Sequence, residues 1–300
     1  MSEQFAKVND DIELCFETFG DPTDPTIQLI MGLGTQMLAW DEAFCRMLVD
    51  RGFHVVRFDN RDCGRSSRVK AKPPGLKQLV TRDKTAAAYT LTDLAQDAVG
   101  LLDHLGVERA HVVGASMGGM IAQTIAIEHP ERVLSLVSIM SNEGGRVKGQ
   151  PTIGAYRMLL SKAPNDRDAY AEYTARLYGV IGSPGFETDT DAIRERSKVA
   201  FDRGVTAAGT GRQLMAIAAS ANRTAGLRRL QVPTTVIHGS KDPLVRKSGG
   251  KAVAAAVPRA RYLEIEGMGH DLPPGVWPQV VDAIAENAGR AASPASAAAG

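Results

Sequence analysis

Residues 110–130 read AHVVGASMGGMIAQTIAIEHP, a short apolar run, then the pattern Gly-x-Ser-x-Gly, then a helical stretch closed by His129-Pro130. Few architectures admit such a segment. A strand that passes directly into a helix at Gly114-Ala115-Ser116-Met117-Gly118 forces strained backbone angles on the serine, while the flanking glycines let neighbouring chain approach without a Cβ clash. The hydroxyl of Ser116 then stands at the C-terminal edge of a sheet, over a helix N-terminus that favours negative charge. The competing reading is a glycine-rich turn that serves only tight helix packing.

The rest of the chain fits a sheet of that kind. Alternation over 3–19 around Asn9-Asp10-Asp11 predicts a β-hairpin, and TIQLIM (26–31) and FHVVRFD (53–59) read as strands around a helix at 40–51 that stops at Gly52. Thr92 is expected to cap a helix carrying Leu94, Ala98, Leu101, Leu102 and Leu105, and further strands fall at 133–140, 234–239 and 260–266. Strands alternating with helices imply right-handed crossovers and a mostly parallel sheet with helices on both faces, an α/β fold. Stretches near 152–162, 166–178, 190–202 and 206–221 read as helices, so residues 142–226 are taken as a helical cap inserted into a core domain formed by 1–141 and 227–286. A last helix begins at Pro278, and the Ala/Ser/Gly-rich segment 287–300 is expected to be a disordered tail.

Composition narrows the function classes. Lys plus Arg number 35 against 34 for Asp plus Glu, a net charge of +1, so no overall field draws in nucleic acid or an anionic membrane. Hydrophobic residues at 44% and charged residues at 23% are ordinary globular usage. Cys15, Cys45 and Cys63 are widely spaced and form no Cys-x-x-Cys pair, which points away from a disulfide framework or a zinc site and fits a reducing cytoplasm. The N-terminal stretch lacks a signal-peptide pattern, and no segment approaches the ~18 apolar residues of a membrane helix. The expected partner is a small molecule; a homodimer stays open.

A serine hydroxyl needs a base to take its proton and a third group to orient that base. Six histidines compete. His54, His104, His111 and His129 fall at strand or helix ends where structural histidines are usual, and His238 lies inside a strand and reads as packed core. His270 sits in Gly267-Met268-Gly269-His270, on a loop just after the last strand, where an imidazole can reach the serine. Asp242, in HGSKDPLV, follows the strand ending at Gly239 with a proline to fix the turn. An Asp-Pro turn former is the plain alternative, but the order Ser116, Asp242, His270 and a gap that accommodates one crossover helix favour an acid. Leu33, Met37, Trp40, Met117, Met140 and Met268 would make an adaptable apolar pocket, or are simply core.

Through MGLGTQMLAW, VVRFDNRDCGRSS, HVVGASMGG and IEGMGHDLP, the chain from 3 to about 286 resembles the α/β-hydrolase superfamily, and within it the small bacterial serine esterases of the aclacinomycin methylesterase type. The resemblance implies a nucleophile elbow at Ser116, the catalytic histidine at His270 and an oxyanion hole formed by the backbone N–H groups of Leu33 and Met117. It also makes Glu143 the runner-up for the acid, since some members place it there. Met31-Gly32 departs from the family's usual His-Gly, which leaves the donor in place but the loop's hydrogen bonding unsettled. The loop at 59–66 is similar to the family's D-x-R-x-x-G-x-S, with Arg61 a structural fork. The expected activity is a serine esterase acting on small, largely apolar carboxylic esters without cofactor or metal. Lactonase, carbon-carbon bond hydrolase and cofactor-free haloperoxidase activities, or a non-catalytic ligand-binding protein, are the alternatives.

Overall fold

In a computed structural model that describes residues 2–292, the chain runs β1 (Gln4–Lys7), β2 (Glu13–Phe19), β3 (Thr26–Ile30), α1 (Glu42–Val49), β4 (His54–Phe58), α2 (Leu76–Thr81), α3 (Leu91–His104), β5 (Ala110–Ala115), α4 (Met117–Glu128) and β6 (Val133–Ile139). It continues through α5 (Ile153–Leu159), α6 (Arg167–Ile181), α7 (Thr190–Gly204), α8 (Ala207–Ala219), α9 (Thr224–Leu227), β7 (Thr234–Gly239), α10 (Ser248–Ala256), β8 (Arg261–Ile265) and α11 (Trp277–Ala292). The strands make an eight-stranded sheet of order β1-β2-β4-β3-β5-β6-β7-β8. Pairing is antiparallel in β1–β2 and β2–β4 and parallel from β4 to β8.

Burial explains the layering. Every residue of β3, β4, β5 and β7 is buried, as strands covered on both faces require. On one face the sheet packs against Leu94, Ala98 and Leu101 of α3, Met120, Ile121 and Ile125 of α4 and Val253 of α10. On the other it meets Phe44 and Leu48 of α1 and Val280, Val281 and Ile284 of α11. Because all strands from β4 to β8 point the same way, the ends of β3, β5 and β7 open onto one edge. Cys15, Cys45 and Cys63 are free and buried, and burial pushes the thiols of Cys15 and Cys45 up to about 12.

Two local expectations change. The cap of α3 is Thr90, whose amide and hydroxyl donate to Asp93 Oδ2 at 2.7 and 2.8 Å; Thr92 lies inside the first turn and donates to Glu128 Oε1 at 3.0 Å. The Thr-x-x-Asp spacing places a carboxylate where it can reach back over the helix start, which the apolar stripe alone did not reveal. At the other end, residues 287–292 are helix rather than tail; 293–300 lie outside the described residues. The reason is Asn287, which is buried. Its Nδ2 donates to the carbonyls of Leu136 (3.0 Å) and Pro233 (3.2 Å), and its Oδ1 accepts from the Thr235 hydroxyl at 2.9 Å.

Between β6 and β7 lie α5 to α9, and no strand of the described residues interrupts them. Buried ion pairs fasten these helices to the loop after β4. Arg203 at the end of α7 reaches Asp59 at 2.8 Å and Glu3 at 2.7 Å, and Arg212 on α8 reaches Asp62 at 2.6 Å. Burial pushes the Asp62 carboxyl up, but Arg212 and the Tyr89 hydroxyl bonded to it outweigh that and hold it below the usual range.

Asn287→Ala removes the acceptor of the Thr235 hydroxyl and one donor each from the Leu136 and Pro233 carbonyls, so unfolding in urea is expected to show a loss of about 1–3 kcal/mol. An unchanged midpoint would mean that the end of α11 is not part of the packed fold.

Candidate active site

Ser116 lies between the last residue of β5 and the first of α4 with φ 57° and ψ −119°, a conformation that costs about 1–3 kcal/mol for a residue with a side chain and persists only where packing imposes it. Its surroundings show what imposes it. A Cβ on Gly114 would sit 2.1 Å from the carbonyl oxygen of Gly118, and one on Gly118 would sit 2.0 Å from that of Ile30. The two glycines therefore let α4 start against the ends of β5 and β3, and the serine is left at the apex of the turn.

The loops after β7 and β8 bring the other two side chains to it. His270 Nε2 is 2.9 Å from Ser116 Oγ, and His270 Nδ1 is 2.7 Å from Asp242 Oδ2. An ionised carboxylate only accepts, so Nδ1 carries the proton and Nε2 presents its lone pair to the serine hydroxyl. Asp242 is fixed by its own turn, its Oδ1 accepting from the amides of Leu244 (2.9 Å) and Val245 (2.8 Å). Burial raises its carboxyl, yet electrostatic attraction to His270 and hydrogen bonds from His238 and His270 outweigh it and hold the group at about 2. Glu143 is buried and makes no contact with His270; its Oε2 has no hydrogen-bond partner. Asp242, not Glu143, is thus the carboxylate on the imidazole.

His238 sits inside β7 as expected of a core histidine, but it also faces the acid. Its Nε2 donates to the Val245 carbonyl at 2.6 Å and lies 3.5 Å from Asp242 Oδ2. His54 and His111 are held by Thr26 (3.1 Å) and Ser135 (2.9 Å), away from the serine.

The His270 loop is tied to the end of α6. The His270 amide donates to the Ile181 carbonyl at 2.7 Å, the Gly185 amide to that of Gly267 at 2.9 Å, and the Gly269 amide to Ser183 Oγ at 2.8 Å. The Ser183 hydroxyl in turn donates to Asp271 Oδ1. Burial pushes the Asp271 carboxyl above its usual range, with the Ser183 bond acting against it. Nothing in the sequence around Ser183 announces this contact, because the two segments meet only through the fold.

The turn after β3 passes directly under the serine: a Cβ on Gly32 would lie 3.1 Å from Ser116 Cβ and 3.6 Å from its Oγ. In that turn the Thr35 amide donates to the Gly32 carbonyl at 3.3 Å and the Gly34 amide to Gln213 Oε1 at 2.8 Å, while the Leu33 amide has no acceptor among the described residues. The Met117 amide, first in α4, has no acceptor within its helix either. At the departure Met31-Gly32, the Met31 side chain joins the core and Asn60 Nδ2 holds its carbonyl at 2.9 Å. The loop at 59–66 is structural. Asp59 accepts from the amides of Met37 (2.8 Å) and Arg65 (3.1 Å), and Arg61 forks onto Asp97 at 2.5 and 2.6 Å.

Of the apolar positions, Trp40, Met140 and Met268 belong to the core cluster on the α1 and α11 side of the sheet, with the Trp40 ring stacked on Phe44 at 5.4 Å. Met37 is likewise fully buried.

Residues 25–273 match the model of the family described as alpha/beta hydrolase fold. The chain is 30% identical over 296 residues to rhodomycin D methylesterase DnrP of Streptomyces peucetius, covering 92% of this chain and 95% of that one. Among solved structures it is similar to the enol-lactonase of Burkholderia xenovorans LB400 (TM-score 0.72, 22% identity, 95% and 99% covered). It is also similar to a 2-hydroxy-6-oxo-6-phenylhexa-2,4-dienoate hydrolase of Rhodococcus sp. strain RHA1 (TM-score 0.74, 20% identity, 95% and 98% covered).

A carboxyl lowered from 3.8 to about 2 stabilises the fold above its unfolded value, and that contribution is lost as pH falls through about 2. Its size is on the order of 2 kcal/mol. The stability deficit of Asp242→Asn relative to wild type, read from urea unfolding at a series of pH values, is therefore expected to shrink between about pH 4 and about pH 2. A deficit that stays constant over that window would contradict an ionised, His-paired carboxylate.

Proposed function

The chain belongs to the alpha/beta hydrolase family, and from that membership we propose that it is a serine-dependent carboxylic ester hydrolase working through an acyl-enzyme. The observation that carries this reading is the continuous relay from Asp242 through His270 to Ser116, at 2.7 and 2.9 Å. The chain's 30% identity to rhodomycin D methylesterase supports a methyl ester of a largely apolar acid as the substrate class.

Each step follows from the geometry. Ser116 Oγ attacks the ester carbonyl carbon as its proton passes to His270 Nε2. The new charge on the carbonyl oxygen falls to the amides of Leu33 and Met117, neither of which has another acceptor among the described residues; a donor of this type contributes about 10²- to 10³-fold in rate. The imidazolium that forms is stabilised by Asp242, already ionised and rigidly held. His270 then returns the proton to the leaving alkoxide and the alcohol departs. Water takes the alcohol's place, gives a proton to His270 and attacks the acyl carbon, releasing the carboxylic acid and restoring the Ser116 hydroxyl. The steps use side chains, backbone amides and water.

Helices α5 to α8 are read as a cap, residues 142–226, that covers the serine and shapes the acyl and alcohol subsites. The Ser183 and Gln213 contacts with the reaction loops support that reading. Free, buried thiols suit a reducing compartment such as the cytoplasm. Among the described residues no helix is long and apolar enough to cross a membrane.

Ser116→Ala is expected to lower turnover of short p-nitrophenyl esters by about 10⁴-fold or more while the circular dichroism spectrum persists. Labelling by a fluorophosphonate probe should vanish in the same variant. Turnover that survives the substitution would remove the proposed nucleophile.

A further inference from the structure

We propose that Gln213, on α8 of the inserted helices, is the positioning residue that holds the turn after β3 in its oxyanion-binding conformation; the inference rests on the esterase reading above. Gln213 is fully buried, and both ends of its amide are used. Its Oε1 accepts the Gly34 N–H at 2.8 Å, and its Nε2 donates to the Arg61 carbonyl at 2.8 Å. One side chain therefore fastens three segments that are remote in sequence: the turn after β3, the loop after β4 and α8.

The placement matters because of which amide it leaves alone. In the turn, Gly34 N–H goes to Gln213, Thr35 N–H closes back on Gly32, and the Thr35 hydroxyl donates to the Leu33 carbonyl at 3.1 Å. With the peptide on each side of Leu33 constrained in this way, its own N–H is left beside Ser116 without an acceptor among the described residues. Remove the amide of Gln213 and the Gly34 N–H loses its acceptor in a buried place, where an unmet donor drives the backbone to rotate toward another partner. Rotation of the 33–34 peptide plane would swing the adjacent donor away from the serine. Thr210, one turn earlier on α8, abuts Gly34 closely enough that a Cβ there would lie 2.9 Å from its hydroxyl oxygen, so α8 and the turn move together. A misplacement of ~1 Å in such a site costs about 10²-fold.

The neighbouring Arg212 supplies the control. It fastens the same helix to Asp62 through two buried hydrogen bonds, at 2.8 and 2.6 Å, and among the described residues it makes no hydrogen bond to the turn at 32–35. A merely structural role for Gln213 predicts that both substitutions act alike.

The experiment compares wild type, Gln213→Met and Arg212→Gln, with kcat counted per fluorophosphonate-titrated site on a short p-nitrophenyl ester. Affinity for an aliphatic trifluoromethyl ketone, which forms a tetrahedral oxyanion on the serine, is measured alongside. Gln213→Met is expected to lower kcat per site by about 10- to 100-fold with KM changed by less than about threefold, and to weaken ketone binding by a similar factor. Arg212→Gln is expected to lose thermal stability while keeping kcat per site within about twofold of wild type. Should Gln213→Met fail to fold, Gln213→Asn, which withdraws the same amide by one methylene, is read in the same way. Wild-type kcat and ketone affinity in the Gln213 variant, or an equal loss of kcat per site in both variants, would overturn the proposal. A wild-type protein that neither labels nor turns over esters would instead strike at the esterase reading itself.

Discussion

One backbone constraint organises this molecule: a non-glycine residue held at positive φ where β5 meets α4. Ser116 can stay there only because Gly114 and Gly118 allow α4 to close onto the strand ends, where a Cβ would stand 2.1 and 2.0 Å from a carbonyl oxygen. The sheet must then be parallel from β4 onward so that β3, β5 and β7 end together. Given that edge, the turn after β3, the acid after β7 and the histidine after β8 converge on the hydroxyl. The conformational strain at one residue is offset by the packing of two core clusters, one on each face of the sheet.

A second theme is the reach of the helices between β6 and β7. They bond to the segments around Ser116 at separate points, through the end of α6 to the His270 loop and through α8 to the turn after β3. Arg203 and Arg212 add buried charge pairs with Asp59 and Asp62, and removing one partner of such a pair is expected to cost about 3–5 kcal/mol because the other is left buried and unpaired. Since Asp59 also holds the Met37 amide, the loop after β4 couples α7 to the segment that follows the turn after β3.

How far the sequence could be read follows from the range of each interaction. Strands and helices were legible because burial on both faces leaves continuous apolar runs and an apolar stripe repeats every turn. Ser116, Asp242 and His270 were legible because each immediately follows a strand, and a parallel sheet puts all such ends on one edge. Ser183 and Gln213 were not, since their partners lie far along the chain and an ordinary serine or glutamine carries no local mark. His238 was read only as core because periodicity locates a residue in a strand without saying what its ring faces. For a related reason the sequence does not separate core from pocket wall at Trp40, Met140 and Met268: both draw on the same side chains. The Ala-rich segment from 287 was read as tail, yet alanine also favours helix, and one buried asparagine decides the matter for 287–292.

The account stands most directly on covalent chemistry at a single oxygen. Rapid quench of the enzyme during hydrolysis of an activated ester, followed by intact-mass measurement and peptide mapping, reads that chemistry without reference to rate. An acyl group added to the chain and mapped to Ser116 is the expected result. Turnover with no acyl adduct, or with the adduct on another residue, would contradict it.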